Sequence, residues 1–478
     1  MSCVSLLSWK ERGTKGRIKA QKENKGEVTM KKKVLGMLLL SALAAAFMTG
    51  CGGKETAGTN ESGNESVNSG VSESTAESKT ESADGKEIVY WSMWQETEPQ
   101  ADLLKLAIAD FEAENPGYTV TVEWTGRTVK DLVFPAMEAG TQVDIFDSDP
   151  NAVYKADTEK LMNLDEFYGM DSAQEGQKIE DTLLPGLIGY DTSMAEAAGL
   201  EGHYSVPYAP YVVSWFYNRE HFEQAGIEKV PETWTEMEEV CAKLKAAGFV
   251  PITIDDAYMQ MISAYLMQRE LGSETVKKMA AEGGEEWNSE GVKKTLDILE
   301  DFAAKGYFSP MMETNKFPAG QAEFAMGNAS MTMNASWFPA EVSDIAGEEF
   351  QWGQFPSPTV EGSNVPITEN SIGGQSFFVH AGTQEKEAVL QLLKHMVSEK
   401  TQEKFLENNL VPCTVNTEWP ETISTQKEIV MQLTANVDWQ AGMETELVTS
   451  TVLPEINKVI FGKATAEECT NKINEMIK

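Results

Sequence analysis

The sequence predicts an α/β chain built as two lobes. Three observations carry this. At 478 residues the chain exceeds what one ordinary hydrophobic core supports. Hydrophobic residues make up 41% and aromatic residues 9%, enough to fill sizeable cores. From Glu87 onward, apolar runs of strand length alternate with stretches of helical periodicity, the pattern of a largely parallel sheet covered on both faces.

Glu87–Met93 reads as the first strand and leads into a loop at Trp94, Gln95 and Glu96. Leu103, Leu104, Ala107, Ile108 and Phe111 then mark one face of a helix, tolerant of Pro99 at its start and stopped by Asn115-Pro116-Gly117. Tyr118–Trp124 alternates as a second strand, and Arg127–Ala139 is helical around Leu132, Val133 and Met137. Val143–Phe146 is the third strand and opens into Asp147-Ser148-Asp149-Pro150. Ligands of such sheets bind at the carboxyl ends of the strands, which brings forward Trp94, Glu96, Asp147 and Asp149.

Ser205–Tyr211 reads as an extended crossing and Val212–Asn218 as a buried strand. Thr233 with Glu236 forms a capping box that opens a helix running to about Lys245. Val250–Ile254 is the next strand, with Asp255, Asp256 and Tyr258 at its end, and helices follow near 257–270 and 289–305. The segment Ser330–Pro339 then organises the rest. Met331–Met333 is a short apolar strand delivering Asn334, Ser336 and Trp337 to the mouth of a cleft. Small polar groups beside a flat aromatic face suit a sugar ring, whose hydroxyls need partners and whose C–H face needs an aromatic. The competing reading makes Ser336 a helix N-cap and Trp337 core packing. Gly373-Gly374-Gln375-Ser376 precedes a strand, Phe377–His380, and a helix spans about Gln384 to Met396.

A formal net charge of −36 argues against a nucleic-acid binder and against adsorption to anionic lipid. The chain has five cysteines and no CxxC pair. With Cys3 and Cys51 set aside, Cys241, Cys413 and Cys469 form no disulfide framework and read as buried, inert thiols. Near the start, Met30-Lys31-Lys32-Lys33 and the apolar run Val34–Phe47 have the build of an export signal, too short to span a membrane well. Residues 1–29 read as an upstream extension from a mis-called start. Residues 30–50 read as a lipoprotein signal peptide, and its junction Met48-Thr49-Gly50-Cys51 resembles a lipobox and marks Cys51 for lipidation, with Met48 where Leu is more usual. From there to residue 86 the chain is Gly, Ser, Thr, Asn and Glu, a composition that predicts a disordered tether spanning ~30 Å.

Val89–Trp94, Val143–Phe146, Val206-Pro207-Tyr208, Trp215–Arg219, Pro231–Trp234, Phe317–Gly320 and Met331–Trp337 occur in an order and spacing that carry a family likeness. The chain resembles an extracellular solute-binding protein of the carbohydrate-uptake ABC transporter type, similar to maltose- and oligosaccharide-binding proteins, across essentially all of 87–478. The resemblance implies a periplasmic-binding-protein-like type II fold, two α/β lobes with a hinge and an interlobe cleft. It places the N-lobe at 86–209 plus 376–414 and the C-lobe at 210–375 plus 415–478. It also implies ligand positions at Trp94, Glu96, Asp147, Asp149, Tyr211, Asp255, Trp337, Gly374 and Gln375, with Trp439 as a further stacking face. Asn334 joins them from the strand reading. Tyr211 stands where maltose binders often carry a carboxylate, so the ligand need not be a maltodextrin. The implied partners are a small-molecule ligand, ABC permease transmembrane subunits, and the membrane through Cys51, with the body a monomer on the extracellular face of the cell membrane.

No catalytic signature of the GxSxG, HExxH or Walker A type occurs, and the four histidines lack metal-ligand spacing. Asp147-x-Asp149-x-Asn151 imitates the start of a calcium loop, but Ala152 replaces the required Gly and Thr158 the closing Glu. The expectation is therefore a binder with no cofactor, metal or chemistry of its own. The alternatives are the same fold holding a polyamine or peptide, and a surface glycoside hydrolase with a carboxylate pair.

Overall fold

The computed structural model describes residues 85–408 and 410–477, so the leader, Cys51 and most of the tether lie outside the described residues. Nine strands are described: β1 (Lys86–Ser92), β2 (Tyr118–Trp124), β3 (Ile145–Ser148), β4 (Val206–Asn218), β5 (Met331–Ala335), β6 (Trp352–Phe355), β7 (Glu369–Asn370), β8 (Ile372–Val379) and β9 (Ala435–Asn436). Seven of them form one sheet in the order β2-β1-β3-β8-β4-β5, with β6 also on β4, and β7 pairs β9 separately.

The organising element is β4. Its first half, Val206–Val212, pairs antiparallel with β8, and its second half, from Val213, pairs with β5 and β6. Pro207 and Pro210 lack an N–H for the ladder, and the register shifts between Pro207 and Ala209. One strand thereby enters two cores. Val206, Tyr208 and Val212 pack with Ile88, Phe111, Phe146 and Phe377. Val213 and Trp215 pack with Trp234, Met261, Leu296, Met333 and Ile456.

The expected largely parallel sheet is corrected. Within the seven-stranded sheet only the β1–β2 and β1–β3 pairs are parallel; β3–β8, β8–β4, β4–β5 and β4–β6 are antiparallel. Local alternation predicts parallel neighbours, but β8 arrives from far along the chain and inserts between β3 and β4. Val250–Ile254 also forms no ladder: Ile252 makes single bridges to Phe308 and Met331. Gly373 and Gly374 lie inside β8, not before it. Thr233 does cap its helix, accepting from the Glu236 N–H at 3.2 Å, but the Glu236 carboxylate accepts from Glu232 N–H instead of closing the box. The reciprocal box is at Thr465 and Glu468. Cys241, Cys413 and Cys469 are free and buried, and burial raises each thiol pKa.

Candidate functional site

Tyr211 lies on β4 opposite Gly373 of β8. A Cβ at Gly373 would run into the Tyr211 ring, so only glycine lets that ring lie across β8. Trp337 follows the end of β5, and Trp439 opens a short turn, Trp439–Gly442. The three rings converge: Tyr211–Trp337 at 5.5 Å, Tyr211–Trp439 at 5.3 Å and Trp337–Trp439 at 5.6 Å between centroids. Tyr258 stands 6.5 Å from Trp439. All four are half-buried.

The turn presenting Trp439 is strained. Gln440 (φ 47°), Ala441 (φ 54°) and Gly442 (φ 74°) are successively left-handed, at ~1–2 kcal/mol for each non-glycine residue. Gln440 N–H donates to the Tyr265 hydroxyl at 3.0 Å and Ala441 N–H to the Asp438 carbonyl at 2.8 Å, which hold it. Strain of this sort collects at ligand clamps.

Two cavities adjoin at Tyr211, Trp337 and Gln375. One, of about 580 Å³, extends past Trp94, Glu98, Arg127, Tyr258 and Glu341. The other, of about 480 Å³, extends past Asp149, Lys155, Tyr190, Asp438, Trp439 and Glu444. Both volumes suit a small organic ligand. Trp337 Nε1 and Gln375 Oε1, a donor and an acceptor on residues of the shared wall, are buried atoms without hydrogen-bond partners.

Trp94 is fixed from behind. Its Nε1 donates to the Tyr208 hydroxyl, which donates to Asp147. Asp147 also accepts from the Tyr90 hydroxyl at 2.8 Å and Met93 N–H at 3.0 Å. The Arg127 guanidinium lies 4.3 Å over the Trp94 ring and grips Glu98 through two bonds, at 3.1 and 2.7 Å.

Of the residues expected at the site, Trp94, Asp149, Tyr211, Trp337, Gln375 and Trp439 line the two cavities. Asp149 additionally caps a helix, accepting from Asn151 N–H at 3.0 Å. The others are placed elsewhere. Glu96 is exposed on the outer surface, 3.3 Å from Lys105. Asp147 is fully buried behind Trp94, and burial raises its pKa to about 6 against the hydrogen bonds that lower it. Asp255 is buried with neither oxygen hydrogen-bonded. Burial raises its pKa to about 6; the N–H groups of Gln321 and Ala257 oppose the shift without reaching bonding geometry. Asn334 is buried, its Oδ1 accepting from Ala335 N–H at 2.7 Å. Gly374 packs its backbone on Ala209 and Pro210. A strand end fixes where a residue sits, not whether its side chain turns into the cleft or behind it.

Sequence reasoning missed Tyr190, Arg127, Glu341, Asp438 and Glu444. Tyr190 lies on the helix Pro185–Ala197, which had no assigned role. Glu444 has its pKa raised by burial, with the nearby Trp439 indole opposing the shift. In a chain with 75 acidic residues nothing local set Glu341, Asp438 or Glu444 apart. Among the described residues no group of three or more His, Cys, Asp or Glu is arranged to hold a metal ion.

A two-core α/β body with an aromatic-walled cleft is the build of a protein that encloses a small molecule. The model of the bacterial extracellular solute-binding protein family matches residues 94–403, and the chain belongs to that family. Members are solute-binding components of ABC importers and are not enzymes. The chain is similar to the sn-glycerol-3-phosphate-binding periplasmic protein UgpB of Shigella flexneri serotype 5b, 24% identical over 327 residues, 65% of this chain and 69% of that one. It is also similar to a putative binding protein of Brucella abortus, 23% identical over 327 residues, 66% of this chain and 72% of that one. Among solved structures, a chitin oligosaccharide binding protein superposes with a TM-score of 0.59 at 22% identity, covering 83% of this chain and 98% of its own. The apo form of RafE from Streptococcus pneumoniae superposes at 0.63 and 18% identity, with the same coverage. These likenesses make the fold periplasmic-binding-protein-like type II.

Proposed function

We propose that the chain captures a sugar or oligosaccharide in the cleft between its two lobes and delivers it to the permease of an ABC importer. The observation that carries this is the convergence of Tyr211, Trp337 and Trp439 beside polar groups left without partners. Aromatic faces take the C–H side of a pyranose while the open donor and acceptor take its hydroxyls. Structural neighbours include a chitin oligosaccharide binder and RafE in complex with raffinose, which supports the same class. The lobes are 86–209 plus 376–414 and 210–375 plus 415–478, and ligand bridging them favours the closed form by its differential affinity. Cys51 carries the lipid that holds the body, as a monomer, at the outer face of the cell membrane. The body has no catalytic role.

A second reading rests on one observation. Asp149, Asp438 and Glu444 surround the same rings, an arrangement that also suits a cationic ligand such as a polyamine. Thermal unfolding of the body, residues 86–478, against mono- and oligosaccharides, polyamines and peptides separates the two. Ligand at a hundredfold its dissociation constant stabilises by about 2.7 kcal/mol. A midpoint shift with a glycan recovered intact is the expected result. A shift with a polyamine alone overturns the sugar reading, and recovery of a shortened glycan makes the protein a hydrolase.

A further inference from the structure

Phe317 is 49% exposed, yet the loop presenting it is firmly built. Its N–H donates to Asp256 Oδ1 at 2.9 Å, and Lys316 Nζ donates to Asp256 Oδ2 at 2.8 Å. Asp256 N–H in turn donates to the Asn315 carbonyl at 3.1 Å. The Asn315 amide donates to Glu323 at 2.8 Å, and the Ser309 hydroxyl donates to the same carboxylate at 2.6 Å. Five polar side chains thus fix a large apolar ring in water, where nothing in the core calls for it. The Phe317 ring meets the Tyr258 edge at 6.1 Å, and Tyr258 lines the larger cavity. From Trp337 through Trp439 and Tyr258 to Phe317, aromatic rings succeed one another at 5.6, 6.5 and 6.1 Å from cleft to surface.

Resting on the sugar reading above, we propose that Phe317 is the outermost stacking platform of the site, and that the ligand is an oligosaccharide long enough to reach it. A single pyranose held at Trp337 cannot also touch a ring three aromatic spacings further out along this series. Phe317 therefore sets a preference for chain length and leaves recognition of the innermost unit untouched. Asp256 is a positioning residue for this platform.

The test is titration calorimetry of the wild type, Phe317→Ala, Asp256→Ala and Trp337→Ala with chito-, malto- and xylo-oligosaccharide ladders from monomer to hexamer. Phe317→Ala is expected to lose roughly three- to tenfold in affinity for the longer members and nothing for the shortest that binds. Asp256→Ala, which frees the loop, loses in the same length-selective way. Trp337→Ala loses at every length, by roughly tenfold or more. If the wild type binds a ladder but Phe317→Ala weakens all lengths equally, or none, the outer platform is overturned while the sugar reading stands. If the wild type binds no member of any ladder, the sugar reading itself falls.

Discussion

At the scale of single residues, the burial of carboxylates is the feature with the clearest consequence. Asp191 is 4% exposed on the helix Pro185–Ala197. Its Oδ2 accepts from Ser205 and Ser376, each at 2.7 Å, tying that helix to the chain before β4 and to β8 beside Gln375. Its Oδ1 has no partner, and burial raises its pKa from 3.8 to about 7, with Asp149 adding to the rise. An acid whose folded pKa stands above its unfolded one keeps its proton longer when folded. Between about pH 4 and 7 the unfolded chain loses that proton first, so the contribution of Asp191 to stability falls as pH rises through this window. Asp147 and Asp255, each raised to about 6, act in the same direction at the lower end. Asp191→Asn cannot ionise. It is expected to gain on the wild type by ~1–3 kcal/mol between pH 5 and 8 in calorimetric unfolding, less than the full shift implies because the lone amide N–H₂ stays unpaired. A difference between the two proteins that is flat in pH would remove Asp191 from this account.

At the scale of elements, β8 shows what a close approach demands. Gly373 lies under the Tyr211 ring, and a methyl there displaces either the ring or the strand. Gly373→Ala is expected to cost ~1–3 kcal/mol of stability and to weaken ligand binding together with it, because Tyr211 is in the cleft wall. Gly189→Ala is the matched control. It sits within the helix Pro185–Ala197 with nothing near its would-be Cβ, so it should stabilise by ~0.5–1 kcal/mol and leave binding alone. Denaturant unfolding and titration of both variants checks the pair, and equal effects would refute the steric cause. The same strand explains how far the sequence could be read. Apolar spacing and one cap located β1, β2, β5 and six of the longer helices, because each is a local pattern, while helices such as Pro185–Ala197, Ser273–Glu282 and Ala466–Met476 were not assigned. That β8 lies between β3 and β4 is non-local, and with it went the direction of its two pairings. The site divided similarly. Trp94 and Trp337 were legible because both aromatics follow strand ends, whereas Trp439 came in only through the family resemblance. Asp147 and Asn334 sit within β3 and β5, and Asp255 follows the bridged segment around Ile252, all three with their side chains buried, a choice set by packing partners far along the chain. Tyr190 and Glu444 were invisible because only the folded chain brings them to Tyr211 and Trp439.

At the scale of the whole molecule, the cleft and the proposed anchor answer different needs. A cleft that binds reversibly returns its ligand to solution unless the receiving permease is close, and the diffusing body of so acidic a chain, −36 over the full sequence, is repelled by an anionic membrane surface. Covalent lipid at Cys51 would overcome that repulsion, and one acyl chain alone holds only marginally, so lasting attachment takes more than one. Every residue lining the two cavities lies at or beyond Met93, well downstream of Cys51 in the chain. Binding and anchoring are therefore expected to separate cleanly by mutation. In cells fed labelled palmitate, the wild type should take up label and sediment with membranes, while Cys51→Ser should take up none and appear in the soluble fraction. The purified bodies of the two should bind the same ligand equally. Retention of Cys51→Ser in the membrane fraction would refute the lipid anchor, and a loss of affinity in it would refute the independence of anchor and cleft.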